Sequence, residues 1–115
     1  MPRHDDSISL RQMLDHAREA AQIAKEHSRS ELDSDRMLGL ATLQLLLILG
    51  ESASRVSSAG RQQHLEIPWG QIIALRNRLI HGYDTIDFDI LWKIITCDLP
   101  PLIAALESAI VPSEQ

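Results

Sequence analysis

The sequence has few of the residues on which disulfide-rich and metal-binding proteins depend. Its one cysteine, Cys97, excludes an internal disulfide and fits a reducing compartment, and a buried apolar thiol is its expected role. No group of Cys and His residues has the spacing of a metal site, and no Gly-rich loop has the spacing that cradles phosphates. Aromatic residues make up 3% of the chain, so the core must be mainly aliphatic. We therefore expect neither a metal nor a cofactor.

Long apolar segments are also missing. The longest apolar run, residues 40–49, is interrupted by Thr42 and Gln44 and is shorter than the roughly 18 residues that a bilayer-spanning helix needs. Asp5 and Asp6 occupy the place where the apolar part of a signal peptide would begin. These features predict a cytoplasmic protein with no membrane segment.

Positive charge is scarce and unevenly placed. The 11 Lys and Arg residues are outnumbered by 16 Asp and Glu residues, and the formal net charge of −5 argues against a general nucleic-acid coat. Residues 60–83 are the only basic stretch, because Arg61, Arg76 and Arg78 there are opposed by Glu66 alone. This stretch coincides with the candidate site described below.

The chain length and the apolar pattern suit one helical domain. We place a single domain at residues 1–115, with a flexible tail from about 111, because 115 residues and a hydrophobic content of 44% are enough for one core. Near the N-terminus apolar residues recur three or four positions apart, which predicts an amphipathic helix capped by Ser7 or Asp6. The polar residues 28–35 predict a break after it. The apolar stripe of this helix consists of Leu10, Met13, Leu14, Ala17, Ala20, Ala21 and Ala24.

The second predicted helix covers residues 35–57 and is apolar almost all round over residues 43–49. A chain this small can hardly surround a helix on every side. The outer face of this helix therefore either meets a second copy of the chain, or the helix is simply the centre of a bundle. A polar loop over residues 58–67 is expected to follow.

Further helices are predicted in the C-terminal half. Pro68 suits the first position of a third helix, and Gly82 suits its end. Asp87 can cap a fourth helix, which the prolines at 100–101 must break or kink before a short last helix over about 101–110. No segment convincingly predicts a strand. The predicted fold is therefore all-α, a bundle of four main helices with a kinked C-terminal helix.

The third predicted helix carries the residues that are best suited to catalysis or binding. On a helical wheel at roughly 100° per residue, Arg76 lies in the middle of the apolar arc. A guanidinium cannot lose its proton, so at such a place it must be paired or must reach a polar cleft. Geometry alone leaves open a structural ion pair, with Glu51 as the candidate partner, and a functional cleft. His81 and Tyr83 also have ordinary structural explanations, because such residues near a helix end usually pack.

These residue types suit RNA cleavage without a metal. A histidine can move a proton to or from a ribose 2′-hydroxyl near neutral pH, and an arginine can hold the phosphate and stabilise its developing charge. Asn77 could orient either partner. On an ideal helix Arg76 and His81 diverge by about 140°. They converge only if the helix ends near Gly82, or if a second chain closes the site.

The segment Arg-Asn-Arg-Leu-Ile-His-Gly-Tyr at 76–83 resembles the motif of the HEPN class, an arginine followed by four residues and a histidine. It also resembles the longer HepT form of that motif, in which one residue separates the histidine from a tyrosine. The flanks are similar too, with Ile-Pro-Trp at 67–69, Ile-Leu-Gly-Glu-Ser-Ala at 48–53 and Asp-Leu-Pro at 98–100. The resemblance covers about residues 5–105 and identifies the chain as a HepT-like ribonuclease of the HEPN class.

The resemblance implies a helical-bundle homodimer in which two copies of the motif face each other across a cleft. It further implies a metal-independent endoribonuclease that cleaves an RNA such as a tRNA or an mRNA. Arg76 and His81 would be its catalytic pair and Asn77 a supporting polar group. Arg78, which lies in the same basic stretch, is a candidate contact for an RNA phosphate. Asp84 departs from the family, which often has an aromatic residue there, and it adds an acid close to the site.

The resemblance also implies the role of a toxin in a type VII-like toxin–antitoxin system. The usual partner is a small antitoxin with a nucleotidyltransferase fold, which silences the toxin by adenylylation (AMPylation) of the motif tyrosine, here Tyr83. Two other functions stay open. The chain could be a non-catalytic helical subunit that only binds a nucleotidyltransferase partner, for which its acidity and Asp84 leave room. It could also bind a nucleotide, with Arg76 and Arg78 holding the phosphates.

Overall fold

The computed structural model describes residues 5–82 and 85–110, and these residues are mostly helical, which confirms the all-α prediction. The tail from 111, predicted to be flexible, lies outside the described residues, as do Tyr83 and Asp84. In chain order the elements are α1 (Asp6–Glu26), α2 (Arg29–Ser34), α3 (Arg36–Ser54), α4 (Ser58–Gln63), α5 (Trp69–Ile73), α6 (Leu75–Leu79), β1 (Ile80–His81), β2 (Thr85–Ile86), α7 (Phe88–Lys93), a π-helical segment (Ile94–Asp98) and α8 (Leu99–Ile110).

Helix α1 packs against both α3 and α8. Its N-cap is Asp5, whose side chain accepts a hydrogen bond from the Ser7 backbone N–H, so the prediction of Ser7 or Asp6 as the cap was wrong by one or two residues. Asp6, the first residue of α1, accepts hydrogen bonds from the backbone N–H and the hydroxyl of Ser57. The start of α1 is thereby joined to the residues just beyond α3, so the two long helices run antiparallel.

Two segments predicted as irregular contain short helices. The polar residues 28–35 include α2, which begins with a capping box between Ser28 and Glu31. Helix α3 begins after its N-cap Asp35, as predicted, but it ends three residues before the predicted end. The reason is that Ser57 caps α4, accepting a hydrogen bond from the Gly60 N–H, which turns the chain into the segment predicted as a loop.

The third predicted helix is divided in the structure. It breaks at Ala74 into α5 and α6, and α6 ends at Leu79. Strands β1 and β2 then pair antiparallel, with Ile80 opposite Ile86 and His81 opposite Thr85, so the prediction of no strand was wrong. Gly82, with φ of 70°, follows β1 instead of ending a helix. β-Branched Ile80, Thr85 and Ile86 favour the extended backbone of the two strands.

The C-terminal helices form a nearly continuous rod. Asp87 caps α7, as predicted, through a hydrogen bond from the Ile90 N–H to its side chain. The prolines at 100–101 do not interrupt the last helix, because they lie in the first turn of α8. Backbone N–H groups in the first turn have no hydrogen-bond partner within the helix, so a proline there removes no bond. The wide π-helical segment precedes them, and its last bond runs from the Leu99 N–H to the Ile94 carbonyl. The last helix therefore begins before the predicted position.

The core is aliphatic, as the low aromatic content predicts. Cys97 is exposed on the π-helical segment, so its predicted burial was wrong. Trp69 is buried and donates its indole N–H to the carbonyls of Arg61 and His64, which ties the start of α5 to α4. The largest fully buried side chains are Met13, Leu14, Leu32, Leu46, Leu49, Val56, Ile67, Leu79, Leu91, Ile95, Leu99 and Leu106.

Helix α3 has one covered face and one uncovered face. Its inner side packs against α1, α2, α5 and α6, yet only 44% of its most apolar stretch is buried. By length and composition alone it is the one helix of the described residues that could cross a membrane, with a mean hydropathy of 1.5. The core helix of a soluble protein meets the same two criteria, so this is a weak indication. The uncovered face includes Met37, which is 81% exposed, and Leu40, which is 40% exposed.

Candidate active site

A groove of about 390 Å³ runs between the outer side of α3 and the α5–α6 pair. One part of its lining is apolar, with Leu47, Ile48 and Ile73. The other part is polar, with Glu51 and Arg76. The full lining consists of Gln44, Leu47, Ile48, Gly50, Glu51, Ser54, Ile73 and Arg76.

Arg76 reaches this groove from the first turn of α6. Leu75 and Leu79, four residues apart on α6, are both buried and define its inner face. Arg76 and Asn77 lie beside that face and are exposed. The wheel placed the guanidinium in the middle of the apolar stripe. In the structure Ile73, at one edge of that stripe, is only half-buried, so the buried face is narrower and Arg76 lies at the surface beside it.

The acid considered as a structural partner of Arg76 pairs with a different arginine. The Glu51 carboxylate lies 3.8 Å from the Arg55 guanidinium, one helical turn further along α3. Glu51 and Arg76 line the same groove. Within residues 5–82 and 85–110, however, no carboxylate lies within ion-pair distance of Arg76. The positive charge of Arg76 is thus left available at the polar part of the groove.

Gly50 sets how closely α5 approaches α3. A Cβ atom at this position would lie 2.8 Å from the Ile72 carbonyl oxygen, which is closer than carbon and oxygen can pack. Because that oxygen belongs to the backbone, only a glycine allows the approach that forms the groove wall. The sequence showed Gly50 only within the stretch that resembles the family, and nothing in its periodicity indicated this contact.

His81 stands on a different element from Arg76. It is the second residue of β1, its side chain is 55% exposed, and it does not belong to the groove lining. Its Nε2 lies 3.5 Å from Oδ2 of Asp87, the residue that caps α7. The sequence indicated Asp87 only as a cap, because its closeness to His81 depends on a strand pairing that was not predicted. Tyr83 follows in the part of the chain that the structure does not describe.

Arg78 is half-buried and points away from the groove. Its guanidinium lies 3.9 Å from the Asp98 carboxylate on the π-helical segment. Both residues border a small cavity lined mainly by apolar side chains of α3, α5 and α8, including Leu49, Ile72 and Leu102. Arg78 thus links α6 to the C-terminal rod, and its place in the single chain is not on the surface that carries Arg76.

Among the described residues no group of three or more His, Cys, Asp or Glu side chains could hold a metal ion. The residues that the structure brings to the surface here are a guanidinium, an amide and an imidazole. Their chemistry is that of anion binding, hydrogen bonding and proton transfer.

Comparison with known proteins agrees with this chemistry. The family model described as "Ribonuclease HepT-like" matches residues 13–109, which include every described residue of the groove and of the hairpin formed by β1 and β2. A candidate RNase from Methanocaldococcus jannaschii is 30% identical over 102 residues, which cover 89% of this chain and 94% of the relative. A candidate ribonuclease HepT from Thermococcus cleftensis is 30% identical over 98 residues, which cover 82% of this chain and 89% of that relative. No solved structure matches the chain. The chain therefore belongs to the HepT-like ribonuclease family, and its enzymatic activity is that of a ribonuclease.

Proposed function

We propose that the protein is a metal-independent endoribonuclease in which Arg76 and His81 do the chemistry within a cleft between two copies of the chain. The observation that carries the proposal is the position of Arg76. Its guanidinium is exposed at the polar part of a groove, and no described carboxylate neutralises it. A guanidinium in this state is suited to bind the phosphate of an RNA backbone through charge-assisted hydrogen bonds.

The reaction needs only proton transfer and charge stabilisation. His81 takes the proton of a ribose 2′-hydroxyl, and the 2′-oxygen forms a bond to the adjacent phosphorus. The bond from phosphorus to the 5′-oxygen breaks, and that oxygen takes a proton from solvent. Arg76 stabilises the negative charge that grows on the phosphate oxygens during this step. The products are one RNA fragment with a 2′,3′-cyclic phosphate and one with a 5′-hydroxyl.

A second copy of the chain is proposed to cover the outer face of α3. This face is apolar, with Met37 and Leu40 exposed and Leu47 and Ile48 half-buried, and it continues into the groove that holds Arg76. Burying such a face against a copy of itself removes apolar surface from water. A dimer formed there brings two copies of the groove together, and RNA would bind between them.

The regulation that we propose involves Tyr83 and a partner protein. In a type VII-like toxin–antitoxin pair, an antitoxin with a nucleotidyltransferase fold would transfer an adenylyl group from ATP to the Tyr83 hydroxyl, with release of pyrophosphate. The added phosphodiester carries a negative charge, so it would compete with RNA for a nearby arginine. The support for this role is the family motif, in which Tyr83 follows His81 by two residues.

Intact-mass analysis tests the regulation. After incubation with the partner and ATP, the wild type should gain mass in steps of one adenylyl group, and Tyr83→Phe should gain none while it keeps some toxicity. Equal additions on both proteins would place the modified residue elsewhere.

The proposed activity is tested by the ends of the RNA fragments. The purified protein is incubated with a labelled RNA in a chelator, and the fragments are analysed by mass spectrometry. Fragments that end in 2′,3′-cyclic phosphate, produced at the same rate with and without chelator, are the expected result. Cleavage that stops in chelator would contradict the mechanism. A protein that binds a nucleotidyltransferase partner but never cleaves RNA would instead be the non-catalytic subunit.

A further inference from the structure

The two oxygens of the Asp87 carboxylate contact two different parts of the molecule. Its Oδ1 accepts a hydrogen bond of 3.0 Å from the Ile90 N–H and so caps α7. Its Oδ2 lies 3.5 Å from Nε2 of His81. The Asp87 side chain is 29% exposed, so it is more shielded from water than His81, which is 55% exposed. The start of a helix is therefore connected to the proposed acid–base residue through a single side chain.

The hairpin explains why these two residues meet. His81 lies opposite Thr85 in the β1–β2 pair, and two positions further along, beyond Ile80 and Ile86, the Asp87 N–H donates a 2.8 Å hydrogen bond to the Leu79 carbonyl. Asp87 is therefore the diagonal neighbour of His81 on the same face of the two-stranded ladder. Side chains at such positions are within reach of each other when one of them is long, as histidine is.

The contact has a consequence for the proton on the imidazole ring. A carboxylate beside Nε2 favours the form in which Nε2 carries hydrogen, since the carboxylate can only accept. Nδ1 is then the nitrogen that is left to take a proton from another group. In the part of the chain that the structure describes, nothing bonds to Nδ1 of His81.

We propose that Asp87 is a positioning residue for His81, which holds the ring with Nε2 protonated and presents Nδ1 to the ribose 2′-hydroxyl. This inference rests on the proposed function, in which His81 is the group that accepts the proton. Asp87 itself does not touch the RNA. Oδ2 of Asp87 fixes the tautomer and the direction of the ring. Oδ1 is held by the Ile90 N–H in the first turn of α7, which fixes the carboxylate itself.

Asp87→Asn separates the two roles of this carboxylate. Asparagine is as good an N-cap as aspartate, so the unfolding temperature should stay close to that of the wild type. The negative charge is lost, and the amide can turn its NH₂ group toward the ring. We expect kcat for RNA cleavage to fall about tenfold or more, with little change in KM, because the carboxylate that holds the tautomer and direction of the general-base ring is lost. A wild-type kcat in Asp87→Asn would overturn the proposal and leave Asp87 as a cap alone.

A matched control is available two residues further along the same helix. Asp89 is also in the first turn of α7, is exposed, and pairs with Arg29 and not with His81. Asp89→Asn removes the same charge from the same turn of α7 but leaves the Asp87–His81 contact in place, so it should keep the wild-type kcat. An equal loss in both variants would show that only the overall charge of α7 matters, which would also overturn the proposal.

Nuclear magnetic resonance of the imidazole nitrogens gives a readout that does not depend on RNA cleavage. The His81 signals are assigned with His81→Gln, and the ring nitrogens of the free protein are compared in the wild type, Asp87→Asn and Asp89→Asn. We expect Nε2 to be the protonated nitrogen in the wild type. Only in Asp87→Asn should the chemical shifts of the two ring nitrogens move toward each other, because the two tautomers then mix. Unchanged shifts would refute the positioning role. If the wild type shows the expected tautomer yet cleaves no RNA, the proposed function fails and the Asp87–His81 contact stands without a catalytic use.

Discussion

The arginine and the histidine of the motif are held by two regions of different construction. Arg76 belongs to α6, whose position depends on tertiary packing: Leu75 and Leu79 are buried in the core, and the neighbouring α5 lies against Gly50. His81 belongs to a two-residue strand that is held by its pairing with β2 and by Asp87. The group that we propose to bind phosphate is thus fixed from the core, and the group that we propose to move a proton is fixed locally. This difference predicts that changes in the core affect the arginine more than the histidine.

The largest effect is expected from Arg76→Ala. The side chain is exposed and makes no described ion pair, so its removal should leave the unfolding temperature nearly unchanged. The rate of RNA cleavage should fall by about 100-fold or more, which is typical for the loss of a group that stabilises a developing negative charge. Arg76→Lys should recover only part of this loss, because lysine cannot bind a phosphate through two parallel bonds. Full activity in Arg76→Ala would remove the arginine from the mechanism.

The dimer is tested by charging the outer face of α3. Leu40 is 40% exposed in the single chain, so Leu40→Glu should leave the monomer folded but should oppose the burial of that face. Sedimentation at micromolar concentration should show about twice the 12.9 kDa chain mass for the wild type and the chain mass for the variant, with RNA cleavage lost in parallel. Leu65→Glu is the matched control, because Leu65 is 78% exposed and lies outside α3. A wild type that sediments as a monomer would contradict the shared cleft.

Gly50→Ala sharpens the contrast between the two regions. Its Cβ would press on the Ile72 carbonyl, a backbone atom that cannot turn away, so α5 must move and the free energy of unfolding should fall by about 1–3 kcal/mol. Cleavage should weaken with it, whereas the ring signals of His81 should stay as in the wild type.

Gly70→Ala is the control on α5 itself, because nothing lies within 4 Å of a Cβ there. That variant should gain up to about 1 kcal/mol from reduced backbone freedom of the unfolded chain. A loss of the His81 signals in Gly50→Ala would show that the hairpin also depends on the core.

The smallest effect concerns a charge that is remote from both regions. The pKa of the Glu31 carboxyl is lowered below its ordinary value. The main cause is its hydrogen bond with His27, and the second is the hydrogen bond that it accepts from the Ser28 backbone N–H. A lowered folded-state pKa means that Glu31 stabilises the fold above the ordinary glutamate pKa. This contribution should decrease as the pH falls through the lowered value. Thermal unfolding from pH 7 down to pH 3 should therefore show a slightly weaker pH dependence in Glu31→Gln, with cleavage at neutral pH unaltered. An identical pH dependence in both proteins would mean that the contact does not persist in solution.

The sequence was sufficient for the features that depend on local pattern. The stripe of α1, the start of α3 near residue 35 and the cap at Asp87 follow from helical spacing and from side chains that accept backbone hydrogen bonds, and the structure confirms them. The break at Ala74 was not predictable in this way, because alanine is a good helix former. The place of Arg76 was predicted wrongly as well, since it is exposed beside the groove and not in the middle of an apolar face.

Features that depend on distant residues could not be read from the pattern. The strands are two residues each, so their alternation is too short to detect, and without their register Asp87 has no visible relation to His81. The close approach at Gly50 likewise depends on a carbonyl more than twenty positions away. Cys97 was expected to be buried from its residue type alone, but its place on the outer side of the π-helical segment exposes it.

The most direct test of the proposed mechanism is a comparison of wild-type protein and His81→Ala on the same RNA in the presence of chelator. His81 is exposed, so the variant should fold with an unchanged unfolding temperature. The mechanism predicts that the wild type cleaves the RNA without added metal and that the variant is slower by about 100-fold or more, the usual contribution of a general base. Cleavage by His81→Ala at the wild-type rate, or a wild type that requires a divalent metal, would contradict it.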